Sequence, residues 1–157
     1  MFKNEEKKRL DWRVSFLLVI FLLAIFLKLY SFYWPKMEIK VSGETLNVLV
    51  AKNYKHWAKG LGGRRDLGNY DGMLFVFNSP NQHTMVMRDM EFPIDIIWIN
   101  QGKIIDIAPN AAVEPGKTEG QYFPYMARSV STHVLEVPAG TADSRGWRIG
   151  DMIEFNP

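Results

Sequence analysis

Cysteine is absent from all 157 residues, which excludes disulfides, thiolate metal sites and a cysteine nucleophile. Histidine is scarce, with His56, His83 and His133 the whole set. None of them stands in an HxH or HxxxH spacing, so a zinc or copper site would need three unrelated contexts to converge, and no metal is expected. The thioethers of Met85, Met87 and Met90 near His83 could in principle serve Cu(I), but core packing explains them more simply. A GxxxxGK(S/T) phosphate loop is missing, and no serine sits in a nucleophile elbow; Ser79, before Pro80, is expected in a turn. No cofactor is expected. Charge of neither sign dominates: residues 1–34 carry six Lys/Arg and three Asp/Glu, and the remainder carries 13 and 14. The basic excess therefore lies in the N-terminal flank, and the rest of the chain has no nucleic-acid footprint.

What is present first is a long apolar run. VSFLLVIFLLAIFL, residues 14–27, holds no charge and one hydroxyl. Carried through KLYSFYW to Trp34 it reaches 21 residues, enough for a helix to cross a hydrocarbon core of about 30 Å. Lys28 can snorkel, and Tyr30, Phe32, Tyr33 and Trp34 make an interfacial aromatic belt. No small-x-small cleavage site follows, so an uncleaved signal anchor is expected. Lys3, Lys7, Lys8, Arg9 and Arg13 precede the run, against Lys28, Lys36 and Lys40 after it. The positive-inside rule then makes residues 1–13 a cytoplasmic flank, 14–34 a single span in the bilayer of the cell membrane, and 35–157 an extracytoplasmic domain of the cell envelope.

The 123 residues beyond the run suffice for one core and read mainly as β-structure. Met37, Ile39 and Val41 alternate with charges, turn at Ser42-Gly43-Glu44 and continue as Leu46, Val48 and Val50, a hairpin. Asn53 can cap a short helix that ends at Gly60. GLGGRRDLGNYDG reads as a flexible glycine-studded loop. MLFVF at 73–77 suits a strand buried on both faces, and residues 83–88 suit another. IDIIWI, Asn100-Gln101-Gly102 and KIIDIA form the clearest hairpin. A long connection over 109–131, a strand at 132–137, a helical turn or two near 139–145 capped by Gly146, and a final strand complete the chain. About seven short strands with one or two small helices predict a β-rich α+β domain, a compact curled antiparallel sheet or partial barrel, with an α+β sandwich as the alternative.

The motifs GLGGRRDL, GMLFVF, PIDIIWI, HVLEVPAG and GWRIGDMIEF, in that order over about residues 44–155, resemble the domain-of-unknown-function family 192 (DUF192), here in a membrane-anchored member. The resemblance implies a small β-rich domain, often exported or anchored, with no established biochemical role. The family's signatures fall on Gly60, Leu61 and Arg64, on Gly72 to Phe75, on Met85 to Met90, and on Pro93 to Ile96. Departures are Val86 where a tryptophan is usual, Asp89 for asparagine, and His133 for an aromatic. The cysteine pair that many relatives carry in the long connection is missing.

The candidate site is the polar cluster in HTMVMRDMEFPIDIIWI, residues 83–99. Asp95 begins a strand that is apolar on both faces, so its carboxyl must be paired or hydrogen-bonded. Arg64, Arg65 and Arg88 are its candidate partners, and with Asp95 they form the expected ligand-binding set; the alternative is a turn cap tying the glycine loop to the sheet. His83 with Asp95 is the candidate acid/base pair. Gly60, Gly62 and Gly63 with Arg64 and Arg65 could cradle an anionic small ligand through backbone N–H groups. Tyr122, Phe123, Tyr125 and Met126 in the long connection suit a partner surface or a cover for the core. Three functions follow: a non-enzymatic binding or accessory module of the envelope, an acid/base hydrolase acting on envelope material, or a structural subunit bound to an envelope protein.

Overall fold

The computed structural model describes residues 11–30 and 33–155, the side chain of Leu29 excepted. It divides into two units, residues 1–33 and 34–157. In the first, the uncharged run lies within one 19-residue helix, α1 (Trp12–Tyr30). Among the described residues no helix is long and apolar enough to cross a membrane. Residues 31 and 32 of the expected span, and residues 1–10 of the expected cytoplasmic flank, lie outside the described residues. The expected crossing over 14–34 is thus not a feature that these residues establish.

The second unit, the β-domain, consists of β1 (Lys36–Val41), β2 (Glu44–Ala51), α2 (Tyr54–Lys59), β3 (Gly72–Asn81), β4 (Thr84–Met85), β5 (Ile94–Asn100), β6 (Lys103–Ala111), β7 (Tyr125–Met126), β8 (Ser131–Pro138), α3 (Thr141–Ser144) and β9 (Ile153–Phe155). Both expected hairpins form, β1–β2 and β5–β6. Each turns through two residues at positive φ, Ser42-Gly43 and Gln101-Gly102, the backbone twist that suits tight hairpins. Seven strands join in the order β6-β5-β8-β3-β2-β1-β9. Pairing is antiparallel except between β2 and β3, which are parallel and linked by the α2 crossover.

The two edges of this sheet are tied together. Ile104 N–H donates to the Asp151 carbonyl, Gly150 N–H to Ile104, and Ile153 N–H to Gly102, so the segment entering β9 bonds to β6 while β9 itself pairs with β1. The sheet is therefore a curled half-barrel, which also hides the edges that would otherwise recruit another chain. Its interior is an apolar cluster with members on all seven strands, including Ile39, Leu46, Leu74, Ile97, Ile104, Leu135 and Ile153, with Trp147 and the α3 residue Ala142. A second cluster covers the outer face: Leu49, Met73, Phe75, Ile96, Trp98 and Val134 pack with Leu61, Met85 and Met87.

Local expectations change in two places. The strand expected over 83–88 is only Thr84–Met85, which pairs with Tyr125–Met126 of the long connection. That pairing fastens the connection onto the outer face. β3 continues past Phe77 to Asn81, so Ser79 and Pro80 lie in a strand and not a turn. They are exposed and fall where the β3–β8 register is interrupted, between Val76 and Asn81, the position that a residue without an N–H tolerates.

Candidate functional site

The GLGG segment is built rather than flexible. Asn53 caps α2 by accepting from the His56 N–H, and Gly60 closes the helix with its own N–H on the His56 carbonyl. The chain then folds against the turn at Arg88-Asp89: Gly63 N–H donates to the Asp89 carbonyl at 2.7 Å. A Cβ on Gly62 would stand 2.7 Å from the Arg88 carbonyl oxygen, so glycine is required there by close approach of two backbones. The N–H groups of Gly60, Gly62, Gly63 and Arg64 all bind protein carbonyls. They are not available as the expected anion cradle.

The expected arginine–Asp95 set does not assemble. Asp95 is fully buried, and its carboxyl accepts from three backbone amides: Asn110 and Gly140 on Oδ1 at 2.8 and 3.1 Å, Ala142 on Oδ2 at 2.9 Å. It caps α3 and pins the end of β6, a structural role other than the expected tie to the glycine loop, and it binds no arginine. Arg64 lies over the Trp34 ring, 5.4 Å from its centroid, and Arg65 is exposed. Arg88 grips both carboxylate oxygens of Glu119 and donates to the Ala58 carbonyl.

Nor are His83 and Asp95 partners. His83 stacks on Phe77 with centroids 3.6 Å apart and bonds through Nε2 to the Ser79 carbonyl. Its backbone carbonyl accepts from the Trp98 indole, on the outer-face cluster. Asp95 shares the β5 face of Ile97 and Ile99, the interior cluster, so the sheet stands between them. Among the described residues no group of His, Asp and Glu is placed to hold a metal ion.

The feature that sequence reasoning missed is a cleft of about 310 Å³ on the outer face, bounded by α2, the GLGG segment, β3 and residues 84–90. Trp57, Phe75, Phe77, Met85 and Met90 supply apolar walls; Lys59 and Arg88 also line it. Glu136 of β8 lines the same cleft. It lies opposite Met73 of β3 and Ile96 of β5, in the middle of the sheet, and is 4% exposed. Its Oε2 has no hydrogen-bond partner among the described residues.

The contrast with the other buried acids is instructive. Asp95 has three amides, and Asp106 has Arg128, whose guanidinium donates to Oδ1 at 2.6 Å and Oδ2 at 3.1 Å. That hydrogen-bonded pairing holds the Asp106 carboxyl below its ordinary range. For Glu136 burial alone pushes the carboxyl up to about 8, because removal from water disfavours the charged form. Glu136 is accordingly neutral at pH 7 and is a hydrogen-bond donor in an apolar cleft. A carboxyl whose pKa is raised on folding binds more protons folded than unfolded between about pH 4.5 and 8. Its penalty is absent below that window, grows through it, and is complete above it.

The β-domain is thus a half-barrel with a lateral cleft lined by one unsatisfied acid, and among the described residues no group of His, Asp and Glu is placed to hold a metal ion. The chain belongs to the DUF192 family, described as an uncharacterised ACR, whose profile matches residues 37–155. It is 31% identical to a protein of unknown function from Novosphingobium aromaticivorans DSM 12444, with a TM-score of 0.67 over 76% of this chain and 84% of that one. A Sinorhizobium meliloti 1021 protein, provisionally described as a transcription regulator, is 29% identical, with a TM-score of 0.68 over 78% of this chain and 95% of that one. No curated protein matches.

Proposed function

We propose that the β-domain is a non-enzymatic binding module that takes a small, largely apolar molecule into the cleft of Trp57, Phe75, Phe77 and Glu136. The observation that carries this reading is the Glu136 Oε2 atom, buried in the cleft wall without a partner among the described residues. A fold that satisfies Asp95 three times over and Asp106 with an arginine leaves this one acid for something from outside. Burial of an unpaired polar group costs about 1–3 kcal/mol, a cost that ligand binding offsets. The hydrolase reading loses its motivation, since His83 and Asp95 each have other partners.

We place the module at the cell envelope, anchored through residues 14–34 with the N-terminus in the cytoplasm. The support is the uncharged run at 14–27 and the five basic residues before it, together with the positive-inside rule. An envelope protein remains the natural partner for exposed Phe123 and Met126 of the connection. Protease applied to intact cells should digest residues 35–157; their full protection overturns the placement.

The cleft is tested with protein carrying 13C-methyl methionine. Benzyl alcohol or benzylammonium at millimolar concentration should shift the methyl signals of Met85 and Met90, which line the cleft, and leave Met37, which packs on the interior cluster, in place. Filling the cleft with Val86→Phe should suppress the shifts. If neither probe moves Met85 or Met90, the cleft is not a binding site.

A further inference from the structure

The walls of the cleft select among ligands. The Trp57 indole N–H is already committed to the carbonyls of Ala51 and Val76, at 3.0 and 3.2 Å, so Trp57 offers the cleft its ring. The Phe77 ring lies 5.4 Å from that of Trp57 and 6.3 Å from that of Phe75. Three aromatic groups beside one buried carboxyl present the negative potential of π-faces together with a latent full charge. An anionic ligand would be opposed by both. It would also find the Arg88 guanidinium already neutralised, because Arg88 binds both oxygens of Glu119. A neutral ligand could accept from Glu136 but would make no use of the rings' electrostatics.

Resting on the binding-module reading, we propose that the cleft recognises a small organic ammonium ion, an apolar or aromatic body bearing one amine, with the ammonium on the Glu136 carboxyl between Trp57, Phe75 and Phe77. The balance of the step is simple. The ammonium enters with its proton, the carboxyl proton of Glu136 leaves to solvent, and the complex holds an ammonium–carboxylate pair; no covalent bond of the ligand changes. The titratable groups facing the cleft are Tyr54 and Lys59 of α2 and Arg88, while Met73 and Ile96, cross-strand from Glu136, carry no charge. Neither Lys59 nor Arg88 offsets the burial that keeps Glu136 protonated.

Calorimetry on the full chain with benzylammonium, benzyl alcohol and benzoate, in buffers of different ionisation enthalpy, reads the proton directly. Benzylammonium should bind best and release close to one proton at pH 6.5. Its affinity should rise roughly tenfold per pH unit up to the Glu136 titration near pH 8 and flatten above it. Glu136→Gln, nearly isosteric and always neutral, should weaken benzylammonium at least 30-fold and abolish proton release while leaving benzyl alcohol within about threefold. Equal or tighter binding of benzyl alcohol or benzoate by the wild type overturns the ammonium assignment but not the binding site. So does undiminished benzylammonium binding by Glu136→Gln. Absence of binding by all three probes overturns both.

Discussion

Asp95→Ala is expected to lower the unfolding free energy by about 3–5 kcal/mol, a large fraction of the roughly 5–15 kcal/mol that holds a typical domain folded. The substitution removes the acceptor of three amides at once, those of Asn110, Gly140 and Ala142, and these come from two separate parts of the chain, the end of β6 and the start of α3. The first turn of α3 loses its cap, β6 loses its anchor, and the end of the half-barrel closed by Ala142 loosens. Asp95→Asn keeps the volume and one acceptor oxygen, so it should cost less, about 2–3 kcal/mol. Urea denaturation followed by tryptophan fluorescence measures both. A loss under about 1 kcal/mol for Asp95→Ala would show that the carboxyl is not the tie described here.

Gly72→Ala should be comparably damaging for a different reason. A Cβ at position 72 would lie 2.3 Å from the Glu136 carbonyl oxygen and 2.9 Å from Val137 Cγ1. Backbone, not a movable side-chain tip, is in the way, so β3 must part from β8 at the register that places Glu136 beside the cleft. Overpacking typically costs about 1–3 kcal/mol, and the upper end is expected where backbone must move. The variant should also lose ligand binding in excess of its stability loss, seen as weakened benzylammonium affinity under conditions where the variant remains folded. Wild-type stability in Gly72→Ala would mean that the strands are farther apart than described.

Strand alternation made much of this fold legible. Ile39 and Val41, Leu46 and Val48, and the IDIIWI hairpin declare their period, and Asn53 and Gly60 mark α2 by capping chemistry alone. The curl was less legible, because the edges are joined by backbone bonds of Gly102, Ile104, Gly150 and Ile153, which have no side-chain signature. The burial of Asp95 could be inferred from its apolar neighbours. Its partners could not, since main-chain amides look alike in every sequence, and the expectation of an arginine followed from the charged residues nearby. Glu136 is the cleft residue whose role the sequence does not declare. In THVLEV it occupies the polar slot of an alternating strand, the pattern of a half-exposed strand. Only the folding of α2 and residues 84–90 over that face, from segments 46 or more positions away in sequence, makes it buried. The available signal was its position between Leu135 and Val137 in a strand central enough to need cover on both sides.

The central claim, an unpartnered and protonated acid within the cleft, meets its most direct test in the pH dependence of stability. The difference in unfolding free energy between Glu136→Gln and the wild type, measured from pH 4.5 to 8.5, should grow steadily in favour of the variant. The rise expected from a carboxyl at about 8 when folded is on the order of 5 kcal/mol across the window. A difference that stays flat over that range would mean that Glu136 titrates as an ordinary solvated carboxylate, and would contradict the account.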